Sequence, residues 1–163
     1  MVKKGLCLIF VCLLLSGCGA EQTMETVADE WVEEVMAPAR EILVELPEEA
    51  AAPAAENADG RIYLCSDYEI EIHTMPGGDL DATIRNLCGY DRDALTVISS
   101  NPQGLKRYDF VWTAAGEGGD RIGRAVILDD GTYHYTMTVL RSAESVEQSQ
   151  IVWRSVFESF TLA

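Results

Sequence analysis

Between residues 106 and 139, three runs of alternating apolar and polar side chains follow one another across two short turns, and this constrains the fold most. In the first run Tyr108, Phe110 and Trp112 point one way, and Arg107, Asp109 and Thr113 the other. Gly116-Glu117-Gly118-Gly119-Asp120 turns the chain. Residues 121–128 then carry apolar groups on both faces: Ile122, Val126 and Leu128 against Ala125 and Ile127. Asp129-Asp130-Gly131-Thr132 supplies an Asp-Gly hairpin turn, after which Tyr133, Tyr135, Met137 and Val139 alternate again. A period of two is the signature of strands, and turns this short cannot carry a parallel crossover. The chain must therefore build an antiparallel sheet here, with residues 121–128 near its centre.

The flanking segments supply the rest of a small domain. Arg61-Ile62-Tyr63-Leu64-Cys65 reads as a strand, and Tyr68, Ile70 and Ile72 alternate with Glu69, Glu71 and His73 in a second. Met75-Pro76-Gly77-Gly78 is a turn. Asp79 is placed to cap a helix whose one face holds Leu80, Ile84, Leu87 and Cys88, with Gly89 as its stop. Leu95-Thr96-Val97-Ile98-Ser99 is a short strand before the turn at Asn101-Pro102-Gln103-Gly104. A last helix, capped by Ser145 or Ser142, buries Val146, Trp153, Val156, Phe157 and Phe160. Residues 61–163 thus predict an α+β domain: a mostly antiparallel sheet with a mid-chain and a C-terminal helix packed on it.

This element order, with the closing stretch Trp153-Arg154-Ser155-Val156-Phe157-Glu158-Ser159-Phe160-Thr161-Leu162, resembles the Mog1/PsbP-like fold. In that fold a last helix ends in an aromatic, Ser-Phe and a short tail. The resemblance covers residues 61–163 and brings no catalytic motif. It implies a non-enzymatic accessory or binding protein, of a kind that is in some cases a membrane lipoprotein.

The N-terminus has the three zones of a secretory signal: Lys3 and Lys4, an unbroken apolar run from Leu6 to Leu15, then Ser16, Gly17 and Cys18. The run is too short to span a bilayer, which needs about 20 residues. Leu15-Ser16-Gly17-Cys18 resembles the lipobox of bacterial lipoproteins. That resemblance implies removal of residues 1–17 as a lipoprotein signal peptide and a diacylglyceryl group on the sulfur of Cys18. Two acyl chains hold a protein stably, so the expected location is the extracytoplasmic face of the cell membrane, lipid-anchored. No later segment is apolar and long enough for a transmembrane helix.

Charge narrows the partners. The net charge is −15, and loss of Lys3 and Lys4 makes the mature chain more acidic still. Residues 18–60 hold twelve acidic residues against the single basic Arg40. Nucleic acid is excluded, since its binding needs a basic footprint. Residues 18–44 read as an acidic stem. Met24, Val27, Trp31, Val35 and Met36 recur near helical spacing over residues 22–44, in a helix that Pro38 kinks or ends; this stripe either docks on the body or a partner, or stays a frayed helix. Residues 45–60 are Ala, Glu and Pro with little to bury, and read as a linker outside the packed body.

Candidate chemistry is sparse. Cys65 and Cys88 are the thiols left after lipidation and cleavage; in an oxidising compartment they are expected to bridge, for about 3 kcal/mol, over the alternative of two separate buried cysteines. Asp67, Glu69, Glu71 and His73 form a row rather than a metal cage, so no metal is expected. His134 stands alone between two tyrosines. Gly116, Gly118 and Gly119 precede a strand, not the helix a phosphate loop requires. Asp109, Asp129 and Asp130 pair on paper, although turn chemistry accounts for the last two. Tyr108, Phe110, Trp112, Tyr133, Tyr135 and Trp153 are either core or the lining of a ligand groove, with core favoured. The expectation is a tethered, non-catalytic binding or accessory module of the cell envelope, with no cofactor, its partners being the membrane through Cys18 and an unidentified envelope protein or ligand. The alternative is a small envelope enzyme or metal-binding protein, using His73 or His134 with Glu71 or Asp109. That alternative needs these groups to converge in one pocket.

Overall fold

The computed structural model describes residues 36–115, 119–143 and 150–163. The signal segment, Cys18, the stem through Val35, Gly116 and Gly118, and Ser145, Val146 and Gln148 lie outside the described residues. Among the described residues no helix is long and apolar enough to cross a membrane.

The strands are β1 (Ile42–Leu43), β2 (Ala55–Glu56), β3 (Gly60–Leu64), β4 (Tyr68–Pro76), β5 (Ile98–Ser100), β6 (Lys106–Ala114), β7 (Arg121–Asp129), β8 (Tyr133–Ser142) and β9 (Thr161–Leu162). The helices are α1 (Leu80–Cys88) and α2 (Gln150–Ser159). Seven strands form one antiparallel sheet in the order β2-β3-β4-β8-β7-β6-β5, and β1 pairs with β9 in a second, two-stranded one. The class is α+β, as the alternation requires.

Local chemistry sets the elements. The Asp79 carboxylate accepts from the amides of Asp81 and Ala82 at 3.0 and 3.1 Å, which starts α1. Gly89 ends it at φ 78, a left-handed conformation that disfavours any side chain. The alternation of β7 then divides the core in two. Val126 and Leu128 join Ile70, Ile72, Tyr135, Met137, Trp153, Phe157 and Phe160 on the α2 face. Ala125 and Ile127 join Ile84, Phe110 and Trp112 on the α1 face. There the Trp112 ring lies directly over Gly123: a Cβ on that glycine would stand 2.2 Å from a ring carbon.

Three sequence expectations are corrected. Residues 45–60 are not a linker outside the body. Ala50 is 2 % exposed within the α2-side core, and Ala54 N donates to Ile62 O at 2.7 Å. Asn57 Oδ1 accepts from the amides of Asp59 and Gly60, so residues 54–62 are a hairpin. One alanine methyl in a closed site and a few backbone pairs suffice to hold a stretch whose composition promises little. Second, residues 36–44 are not helical. Ile42, Val44 and Leu46 pack on the core in a period of two, while Leu43 stays 44 % exposed. Third, β4 runs through Met75 and Pro76, which the turn reading had cut off.

Candidate functional site

The site grows from the register of the central strands on the α2 face. Val111, Arg124 and Val139 stand side by side across β6, β7 and β8. Ile122 and Arg141 form the next row. Val111 on this floor remains 57 % exposed. Trp153 and Phe157, one helical turn apart, form the wall, and Arg154 stands between them in sequence. The result is a groove of about 260 Å³, with an apolar bed and three arginines on its lining.

Its electrostatics are unusual for so acidic a chain. Arg124 lies over the Phe157 ring, 4.0 Å from its centroid, and reaches Asp109 at 3.8 Å. Asp109 is already held by the fork of Arg107, at 2.7 and 3.1 Å. Arg107 also donates to the carbonyls of Phe157 and Phe160, at the negative end of α2. Burial pushes the Arg124 pKa down; Asp109 and Glu158 oppose this, and the like charges of Arg107 and Arg141 add to it. An arginine stays protonated regardless, so the cation is held at a cost that Asp109 and Glu158 offset in part.

Sequence reasoning passes over these arginines, although a signal exists. Arg124 is in phase with Ile122 and Val126, and Arg141 with Val139 and Met137. A strand arginine on the buried phase marks an unfinished stretch of core or a site.

The residues that sequence reasoning singles out are dispersed. Glu69, Glu71 and His73 lie along the α1-side face of β4. His73 Nε2 is 3.8 Å from Glu71, and Glu69 is 3.5 Å from Arg121. Among the described residues no group of three or more His, Cys, Asp or Glu is placed to hold a metal. His134 is 1 % exposed, with Nδ1 2.8 Å from Thr83 Oγ1, and so ties β8 to α1. Burial lowers its pKa against the opposing pull of Asp129 and Asp130. Asp109 sits on the opposite face of the sheet from His134, in phase with Arg107 and Val111. The six aromatics divide between the cores: Tyr108, Phe110 and Trp112 on the α1 side, Tyr133, Tyr135 and Trp153 on the α2 side.

The expected Cys65–Cys88 disulfide is a further correction. Both are free thiols. Cys65 packs against the α2-side core and Cys88 against the α1-side core, so the thickness of the sheet separates them. Cys88 instead donates to Ile84 O at 3.1 Å. An oxidising compartment permits a bridge but does not decide the face on which each thiol lies.

Asp129 and Asp130 serve the β7–β8 turn. Asp129 accepts from Gly131 N at 2.8 Å. Asp130 accepts from Thr132 N, Tyr133 N and the Tyr135 hydroxyl at 2.7–2.8 Å. Burial alone would raise the Asp130 pKa, but these donors outweigh it and hold the carboxyl below its ordinary 3.8. The native state thus binds a proton at Asp130 less readily than the unfolded chain. The resulting stability is fully present above about 3.8 and is lost as pH falls through the lower native value. Asp130→Asn is therefore expected to lower the urea midpoint by a constant amount at neutral pH. The gap to wild type should shrink below about pH 3.8. A gap that does not change with pH would show that this carboxylate's charge contributes nothing.

No family model matches the chain, and no curated protein sequence does. Among solved structures, the chain is similar to the solution structure of cyanobacterial PsbP (CyanoP) from Synechocystis sp. PCC 6803. The TM-score is 0.49 at 12 % identity, over 69 % of this chain and 79 % of that one.

Proposed function

We propose that this chain is a lipid-anchored protein of the extracytoplasmic membrane face, whose body is a non-catalytic binding or accessory module of the cell envelope. The sequence Leu15-Ser16-Gly17-Cys18, which closes the apolar run Leu6–Leu15 that follows two lysines, carries the anchor. The groove beside α2 supports the binding role, because it offers fixed donors and an apolar bed rather than a nucleophile with a base. The lipid on Cys18 makes the membrane the first partner; an envelope protein or ligand is the second.

Cys18→Ala tests the reading. Expressed in a bacterial host with radiolabelled fatty acid, the wild type is expected to take up label and to migrate as a shortened chain. The variant is expected to stay unlabelled and at precursor length. Equal labelling of the two would remove the anchor from the account.

A further inference from the structure

We propose that His134 is an acid-sensitive latch: while neutral its imidazole holds α1 against the sheet through Thr83, and on protonation it releases α1 while the strands stay paired. The latch lies on the α1 side of the sheet, opposite the groove, and goes beyond the binding role proposed for that groove.

The backbone of His134 is fixed from both sides, opposite Met75 of β4 and Asp129 of β7. Its imidazole is the part that reaches across to the helix. Nδ1 stands 2.8 Å from Thr83 Oγ1, and the same hydroxyl donates to the Asp79 carbonyl at 3.2 Å. With a proton on Nδ1, the ring donates to the hydroxyl and the hydroxyl to the carbonyl. One chain of hydrogen bonds then joins β8 to the start of α1. Both partners are buried, His134 at 1 % and Thr83 at 5 % exposure.

Helix α1 can move as a piece. Its ion pairs, Arg85 with Asp91 and Asp81 with Arg92, join it to the segment that follows, so they travel with it. Gly78 at φ 122 and Gly89 at φ 78 flank it. Against the sheet it sets Ile84, which clusters with Phe110, Trp112, Ala125 and Ile127, and the nearby Tyr90 hydroxyl donates to Thr113 O at 2.8 Å. A helix of nine residues is marginal in water by itself, so its order depends on this docking.

The surroundings of the imidazole set the sign. Facing it are Asp129 from β7, Lys106 from β6 beyond Asp129, His73 one pair along on β4, Asp79 at the start of α1, and Asp130 in the β7–β8 turn. Burial outweighs the pull of the three carboxylates, and Lys106 adds to it, so the closed form takes up a proton less readily than a hydrated histidine. When α1 leaves, water reaches the ring and the carboxylates favour the cation. The open form therefore binds more protons. Closure is fully stabilised above the ordinary histidine value of 6.5, and that stabilisation is lost as pH falls through the lower closed value.

Hydrogen exchange read by mass spectrometry tests the latch, on the full chain in nanodiscs of zwitterionic lipid and with the intrinsic pH dependence of exchange divided out. Between about pH 7.5 and about pH 5.5, the range in which histidine titrates, protection of residues 80–88 is expected to fall by up to about tenfold per pH unit. At each pH β7 is expected to stay at least about tenfold better protected, because it exchanges only when the sheet itself opens. His134→Gln keeps a hydrogen-bonding side chain without the titration, and is expected to make α1 protection independent of pH in this range. His73→Gln removes the chain's other histidine and is expected to keep the fall. Constant protection of residues 80–88 in the wild type would overturn the latch. Equal protection of α1 and β7 at about pH 5.5 would overturn it too, by showing that acid opens the body as a whole. An unchanged fall in His134→Gln would place the titrating group elsewhere. The wild-type comparison of α1 with β7 stands even if His134→Gln fails to fold, and every outcome is independent of the groove and of lipid labelling at Cys18.

Discussion

A chain cut back to begin at Gly60 is expected to lose about 3–5 kcal/mol against one that begins at residue 36, a large share of a small domain's total. The cut removes β1, its pairing with β9, and β2 from the sheet edge. It strips Ile42, Val44 and Leu46 from the α2-side core and takes Ala50 from a closed site. Fully burying one such aliphatic side chain is worth about 1.5–3 kcal/mol, and these three are partly buried, so roughly half of that is taken for each. The Arg40 amide, which donates to the Tyr135 hydroxyl at 2.9 Å, is lost as well. Tyr135 is fully buried, so its hydroxyl would keep only Asp130 as a partner. Urea unfolding of the two chains measures the difference. Coincident midpoints would show that residues 36–59 are the loose tether their composition suggests.

Phe157→Ala is expected to cost about 3–5 kcal/mol, the usual range for emptying an aromatic site in a core. Phe157 is 1 % exposed and packs in the α2-side core. Its ring also carries the Arg124 guanidinium at 4.0 Å, worth about 0.5–1 kcal/mol more at a half-exposed site. Removing the ring therefore opens a cavity and takes the aromatic face from a half-buried cation that keeps Asp109 at 3.8 Å. Arg154→Ala, three residues earlier on the exposed side of α2, is the control and is expected to move stability by no more than about 0.5 kcal/mol. Equilibrium denaturation gives both values. A loss below about 1 kcal/mol for Phe157→Ala would mean that α2 is not held by this ring, and with it the groove wall would lose its support.

What local sequence determined is what neighbours along the chain decide by themselves. Alternation over residues 106–139 specified three antiparallel strands, because side-chain direction in a strand depends only on odd and even position. Asp79 and Gly89 bounded α1 through amides and dihedrals within a few residues. Asp129, Asp130 and Gly131 made the hairpin turn by the same short-range chemistry. Tertiary structure decided the rest. Ile42 meets Leu162 across a separation in sequence that no local pattern reaches, so the 36–60 stretch could not be assigned to the body from composition. Cys65 and Cys88 each suited a bridge locally, and only the placement of α1 opposite α2 put the sheet between them. Arg124, Arg141 and Arg154 come from two strands and a helix. They line one groove because the strands pair in this register and α2 packs beside them. A strand's phase says which side chains share a face; what covers that face is settled only when a distant element packs on it.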